Sequence, residues 1–155
     1  MKQLPWLPYF SESGYELKYG HKGDAGLDLP IWDKDYGEKI IIMPGDSILV
    51  KTGVYMKIPE GNFGFLDTRS STSKLKLDLL CRTIDEPYTG NIRLSLINLN
   101  SEPVTITQGQ RVAQIIIKQY TEVEPVPSPD LEDFLIIAGQ TSRGDKGFGS
   151  TGGNV

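Results

Sequence analysis

From Ile40 onward the chain is written as short apolar runs, each closed by a turn signal, and this punctuation limits its fold more than any other feature. Ile40 to Met43, Ser47 to Lys51, Val54 to Ile58 and Phe63 to Asp67 are separated by Pro44-Gly45-Asp46, Gly53 and Pro59-Glu60-Gly61. After a polar interruption the pattern resumes at Leu77 to Thr83, Ile92 to Leu99, Val104 to Thr107 and Val112 to Tyr120. Runs this short, bounded by Gly and Pro, suit strands whose partners lie elsewhere in the chain. No long amphipathic helix is evident. The expected class is all-β, a sandwich, jelly roll or barrel, with little helix.

Upstream, the aromatics Trp6, Tyr9 and Phe10 and the prolines at 5 and 8 predict a first strand and an irregular connection, with the aromatics as packing or subunit-contact residues. Gly23-Asp24-Ala25-Gly26-Leu27-Asp28-Leu29 reads as a glycine turn running into a strand. Asp28 falls inside that strand pattern, where a carboxylate is disfavoured unless paired.

A chain of 155 residues can bury a core as one domain, expected over 1–142, with a glycine-rich tail over 143–155. Its one cysteine, Cys81, cannot form an intramolecular disulfide, and the first residues lack a basic-then-apolar signal, so a cytoplasmic setting is expected. No apolar run is long enough to cross a bilayer, so no membrane contact is expected. A net charge of −4 argues against broad nucleic-acid binding while leaving room for a small phosphorylated ligand. His21 is the only histidine, which removes His-activated nucleophiles and His-rich zinc sites from consideration. Any hydrolysis must use carboxylate, metal or water.

Three stretches stand out against the β pattern. In Thr83-Ile84-Asp85-Glu86-Pro87-Tyr88-Thr89-Gly90-Asn91, Pro87 presets a turn and Gly90 can close it, so Asp85 has a fixed place. Its carboxylate reads either as a turn former or, with Ile84 limiting water beside it, as a poised base. Arg69-Ser70-Ser71-Thr72-Ser73-Lys74 reads either as a polar surface loop or as a hydroxyl-capped helix start offering backbone donors to an anion. The tail from Arg143 through Gly152 follows the extended connector at Pro125, Pro127 and Pro129 and the apolar patch Phe134 to Ile137, and its glycines do not favour one conformation. Gly147, Gly149 and Gly152 spell a dinucleotide fingerprint, yet no helix can follow, and the P-loop spacing of Gly144 and Gly149 lacks its lysine. What remains is charge from Arg143 and Lys146, close backbone approach at the glycines, and Phe148 to cover a flat ring.

Taken in order, these stretches resemble the five motifs of the trimeric dUTPases. Ala25-Gly26-Leu27-Asp28-Leu29 is similar to the first, Arg69-Ser70-Ser71 to the second and Ile84-Asp85-Glu86-Pro87-Tyr88-Thr89-Gly90 to the third. Gly109-Gln110-Arg111-Val112-Ala113-Gln114 is similar to the fourth, and Arg143 to Gly152 to the fifth. The resemblance implies a homotrimer of jelly-roll subunits, with active sites at subunit boundaries and tails crossing to cover them. It implies hydrolysis of dUTP to dUMP and pyrophosphate, with Mg²⁺ on the triphosphate. By the same resemblance Asp85 would deprotonate the water that attacks the α-phosphate and Gln114 would hold that water. Tyr88 would pack beneath the deoxyribose, and the Thr83-Ile84 backbone would meet uracil. Arg69, Ser70 and Ser71 would donate to the phosphates. In the tail, Arg143 would pair with the γ-phosphate and Phe148 would stack on the base, with Lys146, Gly147, Gly149 and Ser150 completing the substrate site. Asp28 would reach the metal's water shell or hold its strand.

The pattern departs from the family at Arg82, where a glycine is usual, and in the segment from Arg69 to Asp85, which is about one residue short. The related dCTP deaminases place a proton-shuttling glutamate where this chain has Ser95, and a hydroxyl cannot replace that acid/base function. A different class of function is a dUTP-gated module that binds a regulatory protein through the N-terminal aromatics or the segment Asp130 to Ile137. Exposure of those aromatics is the feature that separates it from subunit packing.

Overall fold

Alternating apolar and polar residues become alternating burial. In strand β3 (Lys39–Ile42) the side chains of Ile40 and Ile42 are buried and that of Ile41 is exposed, as a pleated strand with one face in a core requires. The computed structural model describes residues 5–145, and the chain separates into two compact units, 1–121 and 122–155.

In the first unit β1 (Tyr9–Ser11) pairs with β5 (Val54–Met56), and β3 pairs with β10 (Val104–Thr107). A four-stranded sheet runs β2 (Leu27–Pro30), β11 (Arg111–Gln119), β6 (Asn62–Thr68), β8 (Thr83–Ile84), and a three-stranded sheet runs β4 (Ser47–Lys51), β9 (Arg93–Asn98), β7 (Leu77–Leu79). All pairs are antiparallel. β2 lies against β11, β3 against β10 and β4 against β9, so early strands take late partners in nested order. That nesting is what a long hairpin gives when rolled up on itself, a jelly roll. Leu29, Ile42, Val50, Leu66, Leu94, Leu96, Ile106 and Ile115 from these sheets meet in one fully buried core.

The all-β expectation holds, with two departures. Leu77 to Thr83, read as one strand, is two, because the chain changes sheets between Leu80 and Arg82. In the second unit the apolar patch at Phe134 belongs to a helix, α2 (Leu131–Ala138). Asp130 caps it by accepting the Asp133 N–H at 2.9 Å, and Gly139, at φ 70°, ends it. An aspartate followed by Glu132 and Asp133 was the readable signal for that helix start.

Candidate active site

Residues directly opposed in an antiparallel ladder share one face of the sheet. Gln114 is opposed by Asp28 of β2 on one side and by Asp67 of β6 on the other, while Leu27, Leu29, Leu66 and Ile115 fill the core. The row Asp28, Gln114, Asp67 therefore lies on the other face. Between Arg111 and Ala113 the β11–β2 register shifts, and the added residue turns Arg111 to the side that carries Gln114.

Asp28 is buried and paired, as a strand carboxylate must be. Its Oδ1 accepts from Arg69 Nε at 2.7 Å and its Oδ2 from Arg111 Nη1 at 3.1 Å, while Arg69 Nη1 donates to the Arg111 carbonyl at 3.0 Å. One acid thus fixes two guanidinium groups. Above them the Tyr15 hydroxyl is held above its ordinary pKa, first by burial and then by the Asp28 carboxylate, against the pull of Arg111. Gln114 Nε2 donates to the Thr68 carbonyl at 3.2 Å, and its Oε1 fills the space beside Gly26. A Cβ at Gly26 would overlap that oxygen and lie 2.8 Å from Cδ.

The hydroxyl run does start a helix, α1 (Ser70–Lys74), but no hydroxyl caps it. The cap is Arg69, whose carbonyl accepts from Thr72 N at 2.9 Å and Ser73 N at 3.0 Å. Ser70 and Ser71 are exposed, and their amides sit in the first turn, where helix geometry supplies no acceptor. Thr72 points inward and donates to the Val112 carbonyl at 2.7 Å, locking α1 to the irregular start of β11. Asp28, Arg69, Ser70, Arg111 and Gln114 line one cavity of about 600 Å³, together with the loop Gly20–Gly26.

Asp85 stands elsewhere. It lines a second cavity, about 590 Å³, with Phe63, Thr83, Glu86, Pro87 and Tyr120. Tyr88 N donates to the Asp85 carbonyl at 3.0 Å, closing the expected turn. The Tyr88 hydroxyl donates to the Asn91 carbonyl at 2.7 Å, and its ring folds over Gly90, where a Cβ would lie 2.6 Å from Oη. Gly90 is thus required as room for a ring, and Tyr88 is left 40% exposed as a fixed flat surface. Glu86, which sequence reasoning passed over, anchors the loop: its Oε2 accepts from Gly61 N at 2.8 Å and Tyr120 Oη at 3.2 Å. Because the Arg82 carbonyl and Ile84 face β6, the Thr83 N–H and C=O point to the free edge of the sheet. Asp85 is exposed although Ile84 packs against the core, so among the described residues Ile84 does not shield the carboxylate from water, contrary to expectation.

The two cavities are too far apart to share a reacting atom. β8 and β11 flank β6 on opposite sides; Asp85 comes level with Phe63, whereas Gln114 is level with Asp67. Four residues along a strand and two strand spacings across amount to about 13 Å and about 10 Å, or about 16 Å between the backbones. One chain cannot bring Asp85 and Gln114 onto one water. Arg143 belongs to the second unit, and Lys146, Gly147, Phe148, Gly149 and Ser150 lie outside the described residues.

The family model described as dUTPase matches residues 14–152. The chain belongs to the dUTPase family. It is 39% identical over 136 residues to the deoxyuridine 5'-triphosphate nucleotidohydrolase of Corynebacterium efficiens, covering 85% of this chain and 68% of that one. With its counterpart from Mycobacterium marinum it shares 36% identity over 139 residues, 87% of this chain and 86% of that one. Among solved structures it is similar to a Staphylococcus bacteriophage 80alpha dUTPase variant with dUpNHpp, at TM-score 0.78 and 25% identity, covering 96% of this chain and 99% of that one. EIAV dUTPase gives TM-score 0.66 and 28% identity over 81% of this chain and 100% of that one. The jelly roll is thus the dUTPase fold, and the cavities sit on four of the motifs read from the sequence. Among the described residues no helix is long and apolar enough to cross a membrane.

Proposed function

We propose that the protein hydrolyses dUTP to dUMP and pyrophosphate, and that each active site is composite, built from the Asp85 cavity of one copy and the Gln114 cavity of another. The observation that carries this reading is the dUTPase match across a chain whose Asp85 and Gln114, in two motif-lined cavities, have backbones about 16 Å apart. A homotrimer supplies three such pairs and covers Asp85 where one chain leaves it exposed. Asp85 takes a proton from water held by Gln114 of the neighbouring copy. The water oxygen bonds to the α-phosphorus as the bond to the pyrophosphate oxygen breaks, and no covalent enzyme intermediate forms. Arg69, pinned by Asp28, and the first-turn donors at Ser70 and Ser71 neutralise phosphate charge. Tyr88 offers its exposed face to the deoxyribose, and the outward Thr83 backbone, with Ile84 behind it, reads the base.

The tail residues Arg143, Lys146, Gly147, Phe148, Gly149 and Ser150 close over the site, excluding bulk water. Both Asp28 oxygens already serve arginines, and among the described residues no cluster of His, Cys, Asp or Glu is arranged to hold a metal. That donor set fits a Mg²⁺ carried mainly by the triphosphate, with Asp28 reaching it through water at most. When bound, the ion supplies charge neutralisation on the phosphates. A cytoplasmic setting fits the lone, exposed Cys81 thiol.

The test offers dUTP, dTTP, UTP and dCTP with Mg²⁺ and follows pyrophosphate and ammonia. Pyrophosphate from dUTP in strong preference is expected; ammonia from dCTP, or no preference, would refute the assignment. A regulatory reading has one observation in its favour: Trp6 is 84% and Phe10 63% exposed, the latter against Tyr55 at 6.0 Å between ring centroids. If those rings stay solvent-accessible in the assembled oligomer, a dUTP-gated protein partner gains support; protection there would assign them to subunit packing.

A further inference from the structure

In the stretch before Asp85 the chain passes from one sheet to the other with few ladder bonds to hold it. Leu80 N still donates to Ser95 in the three-stranded sheet, at 2.9 Å, and two residues later the Arg82 carbonyl accepts from Leu66 N in the four-stranded sheet, at 2.7 Å. The strand that follows is Thr83 and Ile84 alone, at a sheet edge. So short a strand has few ladder bonds with which to keep its register.

Arg82 supplies what the ladder lacks. Its Nη1 pairs with Asp67 Oδ1 of β6 at 3.0 Å, and its Nη2 with Asp78 Oδ1 of β7. One guanidinium therefore spans both sheets at the corner where the chain passes from one to the other. Arg82 does not line the Asp85 cavity, and both ends of its guanidinium face carboxylates of the two sheets. An isolated surface pair contributes little, but this fork meets carboxylates on two different strands, a geometry that the point charge of a lysine cannot reproduce. Asp67 also opposes Gln114 in the ladder, so the same clamp ties the Asp85 approach to the strand beside the other cavity.

We propose that Arg82 is a positioning residue: its two-carboxylate clamp holds the free-edge backbone of Thr83 in the place from which it selects the pyrimidine base. The proposal rests on the dUTPase reading. In the full-length protein, Arg82→Gln removes the fork at nearly constant length and Arg82→Lys keeps the charge without it. Steady-state kinetics with dUTP and dCTP are read beside hydrogen exchange of the peptide spanning Leu79 to Asp85. Arg82→Gln should raise KM for dUTP and lower the preference over dCTP by about threefold to tenfold, with kcat within about twofold. Exchange at Ile84, whose N–H faces β6, should quicken by about tenfold. Arg82→Lys should recover only part of each change. An unchanged exchange rate, or a fall in kcat and melting temperature with KM and preference intact, would overturn the proposal. Absence of dUTP hydrolysis in the unaltered protein would refute the functional reading instead, and the exchange measurement would still decide whether Arg82 clamps the strand.

Discussion

Replacing Gly26 by alanine tests whether the first motif exists to make room for the fourth. The new methyl would overlap Gln114 Oε1, lie 2.8 Å from its Cδ and 3.0 Å from its Cβ. The side-chain tip can rotate away from the first contact, but the Cβ contact yields only if β2 and β11 move apart, and Gly26 is buried. Overpacking of this kind costs about 1–3 kcal/mol. Rotating the amide also breaks its bond to the Thr68 carbonyl, worth about 1 kcal/mol. A stability loss of about 2–4 kcal/mol is expected by urea denaturation with an unchanged m-value. If Gln114 orients the water, kcat should fall by about 10²-fold, since a displacement near 1 Å is enough. Adding Gln114→Ala should restore part of the stability but not the activity, because the overlaps with Oε1 and Cδ disappear with the amide while the contact with Cβ stays. Equal stability and turnover in Gly26→Ala and the unaltered protein would refute the packing argument, and additive stability losses in the double variant would place the cost elsewhere.

Other expectations follow from single contacts. Asp85→Asn should bind dUTP nearly as before while kcat drops by about 10²-fold or more, measured by calorimetry and pyrophosphate release; near-normal turnover would show that another group handles the water. Thr72→Val strands the Val112 carbonyl it now satisfies at 2.7 Å, so a loss of about 1–3 kcal/mol in chemical denaturation is expected. Tyr15 has its pKa raised above 10.0, chiefly by burial, so its neutral form favours the fold. Its contribution is full below the unfolded value and is lost as pH rises through the folded one. Tyr15→Phe should therefore flatten the decline in melting temperature above about pH 10.

Strands were legible in this sequence because turn residues interrupt it at short intervals and each run alternates apolar with polar positions. The break at Leu80 to Arg82 was not, since Leu77 to Thr83 has uninterrupted strand character and the sheet change there depends on Ser95 and Leu66, residues distant in sequence. The shift in β11 was hidden likewise, because register belongs to a pair of strands and not to one. In the site, Asp85 and Tyr88 could be singled out by their turn and motif. Glu86 could not, because its role comes from Gly61 N and Tyr120 Oη. Asp28 was flagged by a local conflict, a carboxylate in a strand, and the structure resolves it with two arginines distant in sequence.

If the active site is composite, Asp85 and Gln114 act together only across two copies of the chain. Mixing Asp85→Asn chains with Gln114→Ala chains, each inactive, after joint unfolding and refolding tests it directly. In randomly mixed homotrimers each composite site draws one intact residue from each variant with a chance of about one quarter. Recovery of about a quarter of the unaltered protein's dUTP turnover is predicted. Activity no higher than the average of the two separate variants would place both residues in one chain's own site.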